Sequence, residues 1–492
     1  MSDQELKSRR ERLEKLRAAG LDPFPARTGA HVRVAALREA HDAKSAEQLD
    51  AEKPVAAIAG RVRAARSFGK LVFVTLGDDG AQLQVSARRG ITPEETFAFV
   101  KSLDVGDFVR VEGTVWRTQK GELTLDAQSA QMLAKALRPL PEKWHGLADV
   151  EARYRQRYLD LLSNPRAREI ALLRSKVTSS LRRTLDARGF LEVETPVLQP
   201  LYGGGSATPF STHHEKFDQH LYLRISDELY LKRCVIGGLD RVYEIGHDFR
   251  NEGISHKHSP EFTMLECYQA YADYTHMMEL VQAMIVDAAQ TALGTLSVPH
   301  GNGTLELGGA WRRVTMTDAI RDATGIDILA ENDLAKLRAA AARAGIQRLD
   351  APTWALLVDE IFSERVEPKL IQPTFITHHP TELSPLAKRD PNDPRLVERF
   401  ELFMAGMELA NAFSELNDPD DQRARFEELR KDAAAGDAEA HPMDEDFLIA
   451  LEHGMPPTGG LGVGVDRLVR ILADAPNLRE VILFPHLRPD AK

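Results

Sequence analysis

The segment from Phe249 to Tyr268 restricts the fold of this chain more than any other, and it has the sequence FRNEGISHKHSPEFTMLECY. Arg250 and Glu252 stand two positions apart, so on a strand both side chains point to the same side. A short polar loop follows, and residues 262–268 have the pattern of a second strand. The segment therefore predicts a hairpin that can place a cation against a phosphate, an aromatic ring against a base and carboxylates against an amine.

Length and composition indicate a multidomain globular protein. A chain of 492 residues predicts two to four domains, and 43% hydrophobic with 28% charged residues is an ordinary soluble composition. No apolar run is long enough to cross a bilayer, and the first residues lack the apolar stretch of a signal peptide. Cys234 and Cys267 are too few for a disulfide framework or a zinc ribbon. These features predict a cytoplasmic protein without a membrane partner.

The net charge of −11 argues against indiscriminate binding to nucleic acid, although a local basic patch can still contact RNA. Residues 1–50 are predicted to hold a basic helix and a lead-in, with apolar side chains at helical spacing and Gly20 at the end of the helix. RNA contact and simple solvation of an amphipathic helix both stay open. The basic side chains are Lys7, Arg9, Arg10, Arg12, Lys15 and Arg17, and the apolar ones are Leu6, Leu13 and Leu16.

Residues 51–137 predict a small β-barrel. Five strand-like runs are separated by turn residues, and a helix-like stretch, 93–103, falls between the third and fourth runs. This is the order of an OB-fold barrel, which binds single-stranded nucleic acid on its open face. A barrel that serves only in packing is the alternative. The runs begin at Val55, Leu71, Ala81, Asp107 and Glu122.

The two prolines of Arg138–Pro141 predict a linker over 138–152, and residues 153–492 mix helix and strand patterns with a helical insertion around 280–370. In Gly189–Pro196 a helix ends and a strand begins, and the proline predicts an edge position because it cannot donate to a ladder. The glycine-rich segment Gly459–Leu468 is neither a Rossmann fingerprint nor a P-loop, since the spacing differs and no Gly-Lys-Ser/Thr follows.

Three segments resemble, in chain order, motifs 1, 2 and 3 of the class II aminoacyl-tRNA synthetases, namely Gly189–Pro196, Phe249–Tyr268 and Gly459–Leu468. Residues 401–419 resemble the signature of the bacterial lysyl-tRNA synthetases. The resemblance covers nearly the whole chain. It implies an α+β multidomain fold, with an N-terminal OB-fold β-barrel and a class II catalytic domain whose six- to seven-stranded antiparallel sheet is flanked by helices. The implied partners are ATP, L-lysine and tRNA(Lys), and motif 1 implies a homodimer.

For the ATP site, the resemblance implies two catalytic arginines. Arg250 would bridge the amino-acid carboxylate and the ATP α-phosphate, since its planar fork can hold two oxyanions. Arg467 would cover the adenine on the face opposite Phe262. Glu252 would accept from the adenine amino group, and His258 would lie near the phosphates.

The resemblance also implies magnesium, up to three ions with ATP, held by Glu401 and Glu408. Oxygen-only ligands suit magnesium. These two residues stand seven apart, so they share a face on a helix, whereas on strands they need a bulge to do so. Glu401 is also implied in ATP binding.

A cationic substrate side chain needs a carboxylate at the end of its pocket, because a buried unpaired ammonium is costly. Glu415 fits that position, and Glu228 would take the α-amino group. The residues implied in lysine binding are Gly204, Glu228, Arg250, Glu266, Tyr268, Asn411 and Glu415.

In the barrel, Phe73, Gln84 and Glu122 align with the anticodon readers of the family. A ring stacked on a splayed base, with polar groups at its edge, is how single-stranded RNA is recognised. Phe73 could instead be a residue of the barrel core.

Three positions depart from the family pattern. Thr208 and Met407 stand where arginine is common, and Asp227 stands where proline or an uncharged residue is usual. These departures bear on contacts around the predicted site and leave the reaction class unchanged.

Three alternative functions stay open. An aspartate or asparagine ligase would share the barrel and the three motifs, but it requires a basic pocket. A paralogue that lysylates a protein would lack the barrel. A catalytically inactive RNA-binding protein is disfavoured by the intact Arg250, Glu252, Glu408 and Arg467.

Overall fold

The computed structural model describes residues 3–140, 147, 149–205, 207–434 and 442–489, and it divides into two units, Met1–Ala148 and Asp149–Lys492. The division falls within the predicted linker 138–152, of which residues 141–146 and 148 lie outside the described residues. None of the helices in the described part of the chain combines the length and apolar character that crossing a bilayer requires.

Five strands of the first unit form a closed barrel in the order β1-β2-β3-β5-β4, which confirms the predicted order of strands with a helix after the third. Side chains alternate between the barrel interior and its outer face, as along β2, where Val72, Val74 and Leu76 are buried. The elements of this unit are α1 Asp3–Ala18, α2 Val34–His41, α3 Ala46–Glu52, β1 Val55–Ser67, β2 Leu71–Asp78, β3 Ala81–Arg88, α4 Glu94–Lys101, β4 Phe108–Arg117 and β5 Leu123–Ala134.

The turn between β2 and β3 is fixed by Asp79 and Gly80, which both have positive φ. Asp-Gly is the preferred pair for a tight hairpin whose two central residues take this conformation. The pairing that follows, from Asp78 with Ala81 to Leu71 with Arg88, sets which side chains of β2 and β3 face outwards.

The predicted N-terminal helix is confirmed as α1, but two of its basic side chains are used inside the unit. Arg9 is buried and donates to the carbonyl oxygens of Val105 and Ala136, both at 3.1 Å, and Arg12 forms an ion pair with Asp104. Arg9 therefore anchors the helix and does not belong to an RNA-contacting patch. The exposed Lys7, Arg10 and Lys15 still carry that prediction.

The second unit is built on an eight-stranded sheet in the order β14-β15-β16-β17-β18-β11-β10-β6. The six central strands are antiparallel, as predicted, and the two edge strands β14 and β6 add in parallel. The strands of this unit are β6 Leu191–Glu192, β7 Leu198–Gln199, β8 Ser211–His214, β9 Gln219–Leu223, β10 Arg241–Phe249, β11 Glu261–Ala270, β12 Ser297–His300, β13 Gly303–Glu306, β14 Arg312–Thr315, β15 Thr374–Thr377, β16 Arg399–Met404, β17 Met407–Ser414 and β18 Thr458–Gly464.

Helices cover this sheet and carry its main core. The long helices α7 and α9 pack on each other and, with α15, against the sheet. Asp273 caps α9 through a capping box, and Gly294 ends it in the left-handed conformation. The helices are α5 Val150–Arg155, α6 Arg157–Ser163, α7 Pro165–Asp186, α8 Glu228–Ile236, α9 Tyr274–Leu293, α10 Met316–Thr324, α11 Leu334–Arg343, α12 Trp354–Arg365, α13 Pro419–Ala434, α14 Glu445–Glu452, α15 Val465–Leu472 and α16 Leu478–Val481, with 3-10 turns at Glu367–Lys369 and Thr381–Leu383.

The segment predicted as a helical insertion, 280–370, is not purely helical. Its helices α10, α11 and α12 form a separate hydrophobic cluster, but the segment also contains the hairpin β12–β13 and the edge strand β14. Strand β14 joins the main sheet, so the insertion is tied to the sheet that carries the predicted site.

Candidate active site

The predicted hairpin is formed by β10 and β11, which pair in regular antiparallel register from Arg241 with Gln269 to Phe249 with Glu261. Arg250 follows directly after β10, where its amide donates to the Pro260 carbonyl at 2.9 Å. The Arg250 guanidinium lies 5.3 Å from the centre of the Phe262 ring. The fold therefore brings together the predicted phosphate-binding cation and the predicted adenine-stacking ring.

The polar loop of the hairpin presents Glu252 and His258 at the surface. The His258 ring nitrogen Nδ1 lies 2.9 Å from Ser255 Oγ. Partial burial and the nearby Arg467 and Lys257 cations lower the pKa of His258, so a neutral imidazole is favoured there.

Glu401 and Glu408 lie on the antiparallel pair β16–β17, whose register shifts between Leu402 and Phe403. This is the bulge that two acids seven residues apart require on strands. Arg399 holds Glu401 at 2.5 Å, and Arg467 holds Glu408 at 3.1 Å. The two acids therefore both face a region that contains two guanidinium groups.

The carboxyl groups of Glu401 and Glu408 differ in how readily they ionise. Burial raises the pKa of Glu401 to about 7, and the negative charges of Glu408 and Asp359 add to this shift while Arg399 opposes it. For Glu408, burial acts in the same direction, but the Arg467 guanidinium outweighs it and lowers the pKa. A bound cation would offset the cost of ionising Glu401 in this position. Because magnesium prefers oxygen ligands, two neighbouring carboxylates of this kind fit a magnesium site.

The predicted lysine pocket is lined by buried carboxylates. Glu266 accepts from Ser226 Oγ at 2.7 Å and from the Tyr268 hydroxyl at 2.9 Å. Glu228, the first residue of α8, and Glu415, just after β17, are also buried. Asn411 lies at the side of this group, where its Oδ1 accepts from Arg399 Nε at 3.0 Å.

Two glycines leave room for this pocket. Gly204 has φ +82°, and a Cβ there would lie 2.7 Å from Ser226 Oγ and 2.9 Å from Glu228 Cβ. A Cβ on Gly460 would lie 1.9 Å from Glu415 Oε1 and 2.5 Å from Tyr268 Cε1. The space beside Gly460 is therefore filled by the pocket's own side chains. A Cβ on Gly462 meets nothing closer than 3.8 Å.

Two of the predicted anticodon residues, Phe73 and Gln84, share one outward face of the barrel. Phe73 pairs with Ser86 across β2–β3, and Gln84 on the same face donates to Thr124 Oγ1 at 3.0 Å. Phe73 is partly exposed, with its ring edge-on to the ring of Phe68. Glu122 is exposed just before β5.

Two family descriptions match the chain. Residues 149–488 match the tRNA synthetases of class II (D, K and N), and residues 56–133 match the OB-fold nucleic acid binding domain. The first match covers more than half of the chain. The chain belongs to the class II tRNA synthetases.

Proteins similar to this synthetase over nearly its full length are lysine–tRNA ligases. The one from Bacillus subtilis (strain 168) is 48% identical over 488 residues, which cover 99% of this chain and 98% of the relative. The one from Roseiflexus sp. (strain RS-1) is 51% identical over 480 residues, 97% of each chain. The one from Halalkalibacterium halodurans is 49% identical over 480 residues, which cover 98% of this chain and 96% of the relative.

Of the three departures from the family pattern, Met407 does not face the site of this synthetase. It is buried in the core beside Met404, and its sulfur accepts from Arg470 at 2.7 Å. Adjacent strand residues point to opposite faces, so Met407 points away from the side that carries Glu408. Thr208 contributes its carbonyl, which accepts from the Asn251 amide at 2.8 Å.

The third departure, Asp227, belongs to a group of three buried carboxylates. Oxygens of Asp227, Asp248 and Glu266 lie within 4.8 Å of one another, a spacing at which carboxylates share a proton or hold a cation. Burial and the charges of Glu266 and Asp248 raise the pKa of Asp227 well above its usual range. Arg224 lies 3.1 Å from Asp248.

Four further residues that the sequence did not indicate act on the predicted ligand residues, three by direct contact and one through its charge. Arg399 holds Glu401, and Ser226 orients Glu266. Lys232 contacts Glu228 and Glu415, and Asp359 acts electrostatically on Glu401. Lys232 stands four residues after Glu228, a spacing at which side chains meet on a helix such as α8.

Proposed function

We propose that this synthetase activates L-lysine with ATP, forming lysyl-adenylate and pyrophosphate, and then transfers lysine to tRNA(Lys). The observation that carries the proposal is the pocket of buried carboxylates formed by Glu228, Glu266 and Glu415. An anionic pocket of this kind suits a substrate with two ammonium groups and is unsuited to the anionic side chain of aspartate.

In the proposed first step, the lysine carboxylate attacks the ATP α-phosphorus and pyrophosphate leaves. No side chain acts as a nucleophile, so the enzyme contributes positioning and charge stabilisation. Arg250 would hold the lysine carboxylate and the α-phosphate together, next to Phe262 under the adenine. Arg467 would cover the opposite face of the adenine, Glu252 would accept from its amino group, and His258 would lie near the phosphates.

Magnesium, proposed here as up to three ions bound with ATP, would be held by Glu401 and Glu408. The bulge of β16–β17 and the raised pKa of the partly buried Glu401 support this assignment, because a partly buried carboxylate gains from a nearby cation. When bound, the ions would neutralise the charge of the triphosphate. Arg399 would keep Glu401 oriented through its contact at 2.5 Å.

In the proposed lysine site, Glu415 takes the ε-ammonium and Glu228 takes the α-ammonium. Gly204 keeps the backbone close to the α-amino end, because its Cβ position is already occupied by Ser226 and Glu228. Glu266, Tyr268 and Asn411 would support these contacts from the sheet.

The barrel, 51–137, is proposed as the anticodon-binding domain and 153–492 as the catalytic domain. The outward position of Phe73, Gln84 and Glu122 supports an RNA-contacting face. We further propose a homodimer through the segment 189–196, where Leu191 on the two-residue edge strand β6 is 51% exposed. A cytoplasmic location is part of the same proposal.

The test is ATP–pyrophosphate exchange with purified protein and each of the twenty amino acids in turn. Exchange with lysine alone is expected, and Arg250→Ala should abolish it because no other group then bridges the two reactants. Exchange with aspartate or asparagine would overturn the pocket assignment while leaving the family intact. The absence of exchange with any amino acid would refute the proposed activation step.

A further inference from the structure

A buried lysine side chain lies between the two carboxylates that are proposed to bind the substrate amines. Lys232 Nζ is 2.6 Å from Glu228 Oε1 and forms an ion pair with Glu415 Oε2. The side chains of Lys232 and Glu415 are fully buried, and that of Glu228 nearly so. Each carboxylate therefore has one oxygen turned towards the same internal ammonium group.

The surroundings of Lys232 fix this ammonium in place. Its Nζ lies 5.4 Å from the ring centre of Phe413 on β17 and 5.9 Å from that of Phe447 on α14, so aromatic rings flank the ion pairs. The pKa of Lys232 is raised even though burial acts to lower it, because Glu228 and Glu415 outweigh the burial. The cationic form of this side chain is therefore favoured within the pocket wall.

The other oxygen of Glu415 is the one that remains for a ligand. Oε1 is buried without a hydrogen-bond partner among the described residues, and it lies where a Cβ on Gly460 would otherwise be. A buried carboxylate oxygen without a partner is costly, and a substrate ammonium would remove that cost.

We propose that Lys232 is a positioning residue that determines the length of diamino acid accepted by this synthetase. By holding one oxygen of Glu228 and one of Glu415, it fixes the distance between the two anionic ends of the pocket. It also fixes the direction in which the remaining oxygens point. This inference rests on the proposed function, since it takes these two carboxylates as the partners of the α- and ε-ammonium groups.

The charges support this role. Glu228, Glu266 and Glu415 carry three negative charges in the ionised state, and Lys232 reduces the sum to two. Lysine brings two ammonium groups to the same pocket, while its carboxylate is proposed to meet Arg250. The internal cation lies between Glu228 and Glu415, and it offsets the repulsion between these two carboxylates when both are ionised.

Ornithine, which is one methylene shorter than lysine, is the probe of the proposal. The kcat/KM for pyrophosphate exchange is measured with L-lysine and with L-ornithine in the wild-type protein and in Lys232→Met, which keeps the length and apolar stem of the side chain. We expect the lysine-to-ornithine ratio to fall roughly 10-fold or more, which is the discrimination that one methylene provides. The loss should arise mainly from a raised KM for lysine, with the KM for ATP nearly unchanged.

Arg233→Met is the matched control, because Arg233 is the next residue of α8 and pairs with Asp444 at 2.9 Å, away from the two pocket carboxylates. It should leave the ratio at the wild-type value. Lys232→Gln is the second variant if Lys232→Met does not fold, since its amide can still donate to a carboxylate. It should also lower the ratio.

A folded Lys232 variant with the wild-type ratio would overturn the proposal, as would equal losses for lysine and ATP, which indicate a general structural role. Failure of the wild-type protein to exchange lysine would instead refute the proposed function, so the two failures are distinguishable.

Discussion

At the scale of single residues, the pocket is defined by how each buried carboxylate is compensated. Glu266 has two hydroxyl donors, and Glu228 and Glu415 share Lys232. Asp227 is compensated less completely, because its Oδ1 is buried without a hydrogen bond among the described residues and the charges of Glu266 and Asp248 act on the same carboxyl group. A buried carboxylate without compensation favours its protonated form. The chemistry of each acid is therefore set by its neighbours and not by its residue type.

Glu415→Gln tests the residue at the end of the pocket. The amide keeps the shape of the side chain and removes the charge that the substrate ε-ammonium is proposed to meet. Loss of a buried charged hydrogen bond costs about 2–4 kcal/mol, so we expect the KM for lysine to rise ~30-fold or more. The KM for ATP should change little. Separate saturation curves for lysine and ATP in pyrophosphate exchange measure both, and equal losses would mean that the pocket has been misplaced.

Asp227→Asn tests the group of three buried carboxylates through its effect on the stability of the folded protein. The pKa of Asp227 is raised in the folded state by burial and by Glu266, so its stabilising contribution is present below the unfolded pKa of about 4 and is lost as pH rises through the folded pKa. Asparagine resembles the protonated acid and does not titrate. We therefore expect the variant to gain stability relative to wild type as pH rises from 5 to 8.5, by ~1–3 kcal/mol.

The measurement for Asp227→Asn is the difference in melting temperature between variant and wild type across that pH range. Asp322→Asn is the control, because Asp322 is exposed on α10 and lies outside the group of three buried acids. A pH-independent difference for Asp227→Asn would show that Asp227 is not held protonated in the folded protein.

At the level of helices and strands, local sequence patterns predicted the elements better than they predicted which strands pair. The barrel strands, the helix after the third strand and the hairpin β10–β11 follow from short-range alternation and turn residues such as Asp79-Gly80. The proline of Gly189–Pro196 predicted an edge strand, and β6 confirms it. The parallel pairing of β6 and β14 depends on partners that lie far away in sequence, so no local pattern indicated that pairing. Strand β6 has only two residues, too few for any periodicity.

The direction in which side chains point was the second feature that the sequence did not predict. The seven-residue spacing of Glu401 and Glu408 predicted either a helix face or a bulge, and only the structure decides for the bulge. Met407 was expected near the site, but its direction depends on the strand phase, which places it in the core. Arg9 likewise belonged to a basic helix by sequence, yet it is buried against backbone carbonyls. In each case tertiary packing determines a side-chain direction that the sequence alone did not.

Strand β18 provides a test of why its glycines are needed. In Gly460→Ala the new methyl group meets Glu415 and Tyr268, so the lysine pocket must shift. Overpacking of this kind costs about 1–3 kcal/mol, and we expect a lower melting temperature together with a KM for lysine raised ~10-fold. Gly462→Ala is the control on the same strand, since its methyl group meets no atom closer than 3.8 Å. It should leave the lysine KM unchanged, and an equal lysine defect in both variants would contradict the assignment of Gly460 to the pocket.

At the scale of the whole molecule, the chain consists of two units that each have their own hydrophobic core. The barrel core and the core of the catalytic sheet share no residue, and each unit matches a separate family description. The proposed chemistry lies entirely within the second unit, whereas the proposed anticodon contacts lie entirely within the first. Substitutions in one unit should therefore separate amino-acid activation from recognition of tRNA.

Phe73→Ala is the substitution that tests this separation. Stacking of a base on an aromatic ring contributes about 1–3 kcal/mol, so we expect the KM for tRNA(Lys) in aminoacylation to rise ~5- to 100-fold. Pyrophosphate exchange with lysine should stay at the wild-type rate, because that reaction needs no tRNA. Phe217→Ala, which removes an exposed ring from the other unit, serves as the control and should leave the tRNA KM unchanged. Unchanged tRNA affinity in Phe73→Ala would remove the anticodon role of that ring, and a parallel loss of exchange would show that the two functions are not carried by separate units.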